Sequence, residues 1–341
     1  MLWDMWPVQY PEGATVELGG REIWVIMSAP RNLHPDKRHD VARLRLALYA
    51  DGAWTDCGDL LPQGLNPGAR EWAGSTVYDR ASGKLTLFYT ATGRRGEAKP
   101  SYEQRLFQTS GRLIIDGDTV CASDWSEPHE NIVADDHHYA IAREAVGRPG
   151  FIKAFRDPFH FRDPADGRHY LLFTGSLKAS TSEYNGAVGI ARAEDEGMQR
   201  WELLPPLLSA DMLNNEMERP VLRVRDGRYY VFWSTQRRTF APDGPAGPNG
   251  LYGMVADSLF GDYRPLNASG LVAANPLDEP LQAYSWWVTE SLEVAGFIDH
   301  WGLEGRSLED NPDLVISQFG GTPAPRFHIA LDGDRAHIIA P

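Results

Sequence analysis

The feature that most constrains the fold of this chain is a recurrence. Short runs of aromatic and β-branched residues follow one another from end to end, each closed by turn chemistry. EIWVIM (22–27), LRLALYA (44–50), KLTLFYT (84–90), HYLLFTG (169–175), GRYYVFW (227–233), VAGFIDHW (294–301) and FHIAL (327–331) all have strand length. Between them stand Asp51-Gly52, Ser82-Gly83, Asp166-Gly167, Asp226-Gly227 and Asp332-Gly333, dipeptides that supply the positive φ of tight turns. Helical signals are few: residues 140–145 form one short candidate before the Gly147-Arg148-Pro149-Gly150 breaker. No low-complexity linker divides the chain, so the reading is a single all-β domain over residues 1–341. Repeated antiparallel sheets at this length point to a β-propeller, which hides its edges by radial repetition. A pair of β-sandwiches is the alternative. In a propeller the active groups lie on the innermost strands, around the axis.

One stretch carries more than strand pattern. In LNNEMERPVLRVRDGRYYVFW (213–233), Asp226-Gly227 marks a hairpin turn, but Glu216, Glu218 and Arg219 crowd the entrance to its first strand. Glu216 and Glu218 are two residues apart, so an extended chain points both to one face, with Arg219 on the other. Two carboxylates on one face raise the pKa of one member, which a general acid near neutral pH requires. Charges at a strand entrance are more often simply solvated, and spacing alone does not decide between the two.

Charge and composition narrow the partners. Acidic residues outnumber basic ones 47 to 33, a formal charge of −14, which argues against nucleic acid and fits a neutral substrate such as a sugar. No apolar run reaches the ~20 residues of a membrane span, and no signal peptide is visible behind Met1, Trp3 and Asp4. The expected location is cytoplasmic, or outside the cell by a leaderless route. Cys57 and Cys121 read as two unpaired thiols. Eleven tryptophans, several beside charges, fit a sugar site as well as a large β-core. About half are expected to be core alone.

Three carboxylates have similar settings: Asp4 in LWDMWPVQ, Asp157 in FRDPFHF and Glu218 in EMERP. Arg156 and Arg219 adjoin two of them and can hold carboxylates or hydroxyls with their planar forks. The second Arg-Asp-Pro, Arg162 to Pro164, runs into the Asp166-Gly167 turn and reads as turn chemistry. Glycoside cleavage needs one carboxyl to protonate the leaving oxygen and another to attack or to activate water. No Ser-His-Asp or Cys-His motif and no Gly-rich phosphate loop competes with that reading.

The sequence resembles glycoside hydrolase family 68, the levansucrases, inulosucrases and bacterial β-fructofuranosidases. The matching stretches, in family order, are LWDMWP, REWAGS (70–75), FRDP, NGAVGIA (185–191), EMERP, TFAPDGPAGPNGLYGMVADSLFGDYRPLNASGLV (239–272), AYSWW (283–287) and GGTPAPRF (320–327). The resemblance implies a five-bladed β-propeller with a central, funnel-shaped active site, and sucrose cleavage by a retaining double displacement. Asp4 would be the nucleophile, Glu218 the acid/base and Asp157 the transition-state stabiliser. Trp3, Trp72, Arg156, Glu216, Arg219 and Tyr284 match positions around the donor sugar, and Gln236 a position near the acceptor. Partners would be sucrose and sugar acceptors, with no cofactor.

The chain also departs from the family pattern. Members carry several dozen residues before the nucleophile motif, and here Asp4 is nearly first. Gln236, in FWSTQRRTFA, stands where polymer-forming relatives have His or Arg, so short products or hydrolysis are expected rather than long levan. Ala73 replaces a common Ser, and LFTGS (172–176) replaces a more acidic stretch. Asn215 stands where an Asp serves calcium in Gram-positive members, so no structural metal is expected, and Asp135-Asp136-His137-His138 reads as a polar surface loop. Two rivals remain: a sugar-binding or degenerate propeller without turnover, and a furanosidase for another β-fructoside.

Overall fold

The computed structural model describes residues 1–116, 119–142 and 153–339. Within them the chain forms five antiparallel units, each built outward from an innermost strand. The innermost strands are Leu2–Gln9, Arg70–Asp79, Phe155–Arg162, Glu218–Arg225 and Ala283–Val288. They touch one another in succession, and the fifth returns to the first. The first two lie parallel, pairing Val8 with Thr76 and Gln9 with Val77, which joins two blades into one ten-stranded sheet. This is the propeller that the hairpin recurrence implies, with five blades.

The second strand of each blade coincides with an apolar run of the sequence. Lys84–Thr92, His169–Ser176, Arg228–Thr235 and Glu293–His300 follow their innermost strands through tight connections or short loops, and Arg21–Ser28 follows after residues 10–20, which include the two-residue strand Glu17–Leu18. They read as unbroken hydrophobic runs because neighbouring blades cover both faces: in Lys84–Thr92 every residue after the first is buried. An outer strand such as Ala53–Asp59 is mostly exposed. Asp51-Gly52 and Asp226-Gly227 have positive φ at both residues, as a twist-matched two-residue hairpin requires. Trp6, Trp24, Trp286 and Trp287 are buried in the core, and Trp3 is buried as well but borders the carboxylate cluster.

Blades one and five meet at Arg326. Its guanidinium lies 2.6 Å from Glu22 of the first blade and 2.9 Å from Glu293 of the fifth, and 3.6 Å from the Tyr49 ring centre. The amino group of Met1 donates to the Ala29 carbonyl at 2.7 Å, so the strand carrying Asp4 is tied from its first residue. Asp163 caps its own turn through the Ala165 N–H, as turn chemistry demands. Asp135 does the same for the N–H groups of His137, His138 and Tyr139, while Asp136 pairs with Lys178. Cys57 and Cys121 are free thiols. The expected helix at 140–145 is not seen at 140–142, and residues 143–150 lie outside the described residues.

Candidate active site

Each innermost strand is interrupted near its start by the same irregularity. Its register against the second strand slips after Trp3, Trp72, Arg156, Glu218 and Tyr284, one residue per blade. The next residues are Asp4, Ala73, Asp157, Arg219 and Ser285, and four of them take positive φ: Asp4 32°, Asp157 61°, Arg219 52° and Ser285 58°. Left-handed backbone costs a non-glycine residue about 1 kcal/mol or more and persists only where surroundings over-determine it. In these four blades the bulge turns a second side chain toward the cluster. Nine of the ten residues at these two rungs are polar or aromatic; Ala73 is the exception.

Hydroxyls on the second strands hold the bulges. The Asp157 N–H donates to Thr90 Oγ1 at 2.9 Å, the Arg219 N–H to Thr174 Oγ1 at 3.0 Å, and the Trp286 N–H to Ser234 Oγ at 2.9 Å. Thr90, Thr174 and Ser234 pair with Trp72, Arg156 and Glu218 in register. The second strand of one blade therefore fixes the bulge of the next. Thr174 also donates to Asp157 Oδ2 at 2.9 Å.

Arg156 organises one side of the cluster. Its Nη2 lies 2.9 Å from Glu216 Oε1 and 2.9 Å from Glu218 Oε1, and its Nε 3.3 Å from Asp157 Oδ2. Gln104 steadies it, accepting from the Phe155 N–H at 3.1 Å and from Arg156 Nη1 at 3.4 Å. The Tyr284 hydroxyl donates to the other Glu218 oxygen, and burial holds that phenol well above its usual range, hence neutral. Across the axis, Arg219 Nη1 is 4.0 Å from Asp4 Oδ1 and donates to Ser285 Oγ at 2.6 Å. The Ser285 hydroxyl in turn hydrogen-bonds the Asp4 carboxylate. Arg219 is not turned away from the carboxylates as simple alternation suggests, because its left-handed backbone breaks the two-residue period.

Two buried arginines thus face four carboxylates. Burial pushes Glu216 up to about 7, with the Glu218 charge adding to the effect. Burial also raises Asp157 to about 6, with Asp4 and Glu218 contributing, and raises Asp4 against the pull of Arg219. Near neutral pH Glu216 therefore retains a proton for part of the time. Exposure differs among the four side chains: 20% for Asp4 and 17% for Glu218, against 8% for Asp157 and 5% for Glu216. The two most accessible carboxyls lie in different blades.

All ten residues singled out in the sequence gather here. Trp3 is 1% exposed, with His39 edge-on at 5.4 Å and the Arg38 guanidinium 5.8 Å from its ring centre. Trp72 is half-buried and donates from Nε1 to the His39 carbonyl at 3.1 Å. Gln236 leads into the short turn Arg237–Thr239 and lies beside the Tyr284 hydroxyl.

His39 was not found from sequence, nor were Thr90, Gln104, Thr174, Asn214 and Ser285. His39 sits in the 3-10 turn Pro35–Asp40, between Trp3 and Trp72, and burial keeps its imidazole neutral. Asn214 accepts the Glu216 N–H at 2.8 Å and the Thr239 hydroxyl at 3.0 Å, tying the carboxylate loop to the Gln236 turn. These are single polar residues in ordinary strand or loop contexts. A partial signal exists for Thr90, Thr174 and Ser234: a hydroxyl inside an otherwise apolar run.

Comparison with known proteins agrees with this geometry. The family model described as Levansucrase/Invertase matches residues 1–185 and 177–340. A levansucrase of Pseudomonas savastanoi pv. glycinea is 31% identical over 379 residues, covering 99% of this chain and 82% of that protein. The inulosucrase from Halalkalicoccus jeotgali, solved bound to kestose, superposes with a TM-score of 0.91 at 41% identity, covering 99% of this chain and 86% of that one. The β-fructofuranosidase from Microbacterium saccharophilum K-1 gives a TM-score of 0.85 at 26% identity, covering 99% and 74%. A five-bladed propeller with this carboxylate cluster on its axis, matched from end to end, belongs to the levansucrase/invertase family.

Proposed function

We propose that this protein cleaves sucrose and transfers the β-fructosyl unit to water or to a sugar acceptor. The observation that carries the reading is the division of the cluster. Glu218 is held by Arg156 and Tyr284 beside Glu216, while Asp4 stands apart against Arg219 and Ser285. A retaining glycosidase needs two carboxyls in separate settings, one to give a proton and one to attack.

In the first step an Asp4 oxygen bonds to the anomeric carbon of the fructosyl ring as the bond from that carbon to the glucose oxygen breaks. Glu218 gives its proton to that oxygen, and glucose leaves. The cationic charge that develops on the ring lies near Asp157, which Thr174 and Arg156 hold in place. In the second step an acceptor hydroxyl or water attacks the same carbon and passes its proton to Glu218. The Asp4 ester bond breaks, and two inversions give net retention. The proton taken from the acceptor returns Glu218 to its acid form, so the cycle closes without another donor.

Sucrose and sugar acceptors as partners follow from the same reading, supported by levansucrase and inulosucrase relatives and by the kestose in one of them. Gln236, beside Tyr284 at the acceptor side, favours short products. The test is incubation with sucrose and time-resolved measurement of glucose, free fructose and oligosaccharides. Glucose in excess of fructose means transfer, equal amounts mean hydrolysis, and absence of glucose overturns the proposal.

A further inference from the structure

Trp72 is held from a side that the carboxylate cluster does not reach. Tyr102 stands just before the third strand of blade two, Gln104–Asp116. Gln104 pairs with Thr92 and Thr92 with Arg70, so this segment lies at the cluster's end of the propeller. The Tyr102 ring centre is 6.2 Å from that of Trp72, with 44° between the planes, and 4.9 Å from the Arg70 guanidinium. Arg70 and Trp72 are two residues apart, ahead of the bulge, so their side chains share a face and one phenol ring spans both. Arg70 is itself fixed: 2% exposed, it lies 3.5 Å from Glu97 Oε1 and donates to the Ser101 carbonyl.

The Tyr102 hydroxyl reaches in the other direction and donates to Asp40 Oδ1. Asp40 ends the 3-10 turn Pro35–Asp40. In that turn His39 gives its carbonyl to the Trp72 indole N–H at 3.1 Å and meets the Trp72 ring edge-on at 5.8 Å. The contacts close a circle: Trp72 to His39, His39 to Asp40 along the chain, Asp40 to Tyr102, and Tyr102 back to Trp72. Burial, with the bond to Asp40 adding to it, pushes the phenol up to about 12, so it remains a donor across the neutral range. Trp72 stays half-buried inside this circle, with the rest of its ring open. A binding group keeps a productive geometry only where packing and hydrogen bonds around it lock its rotamer.

We propose that Tyr102 is a positioning residue for the donor sugar, holding Trp72 and the turn Pro35–Asp40 in the one arrangement that presents the Trp72 ring to the substrate. The proposal rests on the sucrose reading above, in which Trp72 borders the donor. The Tyr102 hydroxyl bonds Asp40 rather than a carboxylate of the cluster, so its loss is felt in sucrose affinity and not in the chemical step.

The test is steady-state sucrose kinetics on the full chain: the parent, Tyr102→Phe, Tyr102→Leu, Asp40→Ala, and Tyr102→Phe combined with Asp40→Ala. Tyr102→Phe keeps the ring and loses the bond, and should raise KM about threefold. Tyr102→Leu loses the ring as well and should raise KM about tenfold or more, with kcat of both within about twofold of the parent. Asp40→Ala should match Tyr102→Phe, and the double variant should be no worse than either, because both changes remove one and the same bond. An unchanged KM in Tyr102→Phe, effects that multiply in the double variant, or a fall in kcat at constant KM overturns the proposal. If Tyr102→Leu does not fold, Tyr102→Phe and Asp40→Ala decide. If the parent releases no glucose, the sucrose reading has failed, and hydrogen exchange of the amides of residues 35–44 decides on the positioning role. Faster exchange there in Tyr102→Phe than in the parent supports it, and identical exchange overturns it.

Discussion

Arg156 Nη2 stands 2.9 Å from Glu218 Oε1, and the same nitrogen is also 2.9 Å from Glu216. One guanidinium nitrogen therefore sets both the position of the proposed acid and the strength of its coupling to a neighbouring carboxyl. Arg156→Lys keeps a charge but loses the planar fork. The expected outcome is a fall in kcat/KM of about 100-fold or more, with the alkaline limb of the pH profile moved upward. Steady-state kinetics across pH check both; an unchanged limb would separate Arg156 from the titration of Glu216.

The two catalytic carboxyls should fail in different ways. Asp4→Asn and Glu218→Gln are each expected to lower sucrose turnover by about four orders of magnitude or more. With an aryl β-fructoside whose leaving group needs no protonation, Glu218→Gln should recover its first step, seen as a burst of phenolate, and Asp4→Asn should not. A burst from Asp4→Asn would remove it as nucleophile.

Glu216 at about 7 and Asp157 at about 6 sit above their ordinary values near 4.3 and 3.9. Folded protein then binds more protons than unfolded chain across that interval. The stabilisation is full below about pH 4 and is lost as pH rises through 6 and 7. Glu216→Gln removes its share of that loss. Chemical denaturation should show the variant gaining on the parent between pH 5 and pH 8, by at most about 3 kcal/mol. A difference independent of pH would mean that Glu216 titrates normally.

Thr174 joins three groups: it pairs with Arg156 in register, accepts from the Arg219 N–H and donates to Asp157. Thr174→Val preserves shape and removes the hydroxyl, leaving a buried N–H unsatisfied. A stability loss of about 1–3 kcal/mol and an activity loss of about 100-fold are expected, measured by denaturation and initial rates. Loss of stability alone would confine Thr174 to the scaffold.

Gln236 tests the acceptor side. Replacing it with Arg, one of the two residue types that the family resemblance sets against Gln here, should shift products to longer chains at constant glucose release. Chromatography of the reaction mixture reads this directly. The same size distribution in both proteins would free Gln236 from any role in chain growth.

Strands and turns were legible because both depend on local chemistry. The apolar run from Lys84 and the Asp226-Gly227 turn announce themselves within a few residues. The three carboxylates were legible through their flanking motifs. What stayed hidden was the count of blades and the equivalence of the bulges. Trp3, Trp72, Arg156, Glu218 and Tyr284 occupy one structural position yet range from aromatic ring to guanidinium to carboxylate, so no repeat shows in the sequence. His39 was hidden for a different reason: its meaning comes from Trp3 and Trp72, on two separate blades.

The repeated bulge has a consequence for how such a protein changes over time. Scaffold and chemistry are written in different places. Hairpins, hydroxyl props and buried aromatics specify the blades, whereas the reaction is spelled by five two-residue words at the axis: WD, WA, RD, ER and YS. Each word sits at the same one-residue slip in register, so a new pair inherits its place without remodelling a loop. A lineage can rewrite what the centre does, one word at a time, while the grammar that folds the wheel is left untouched.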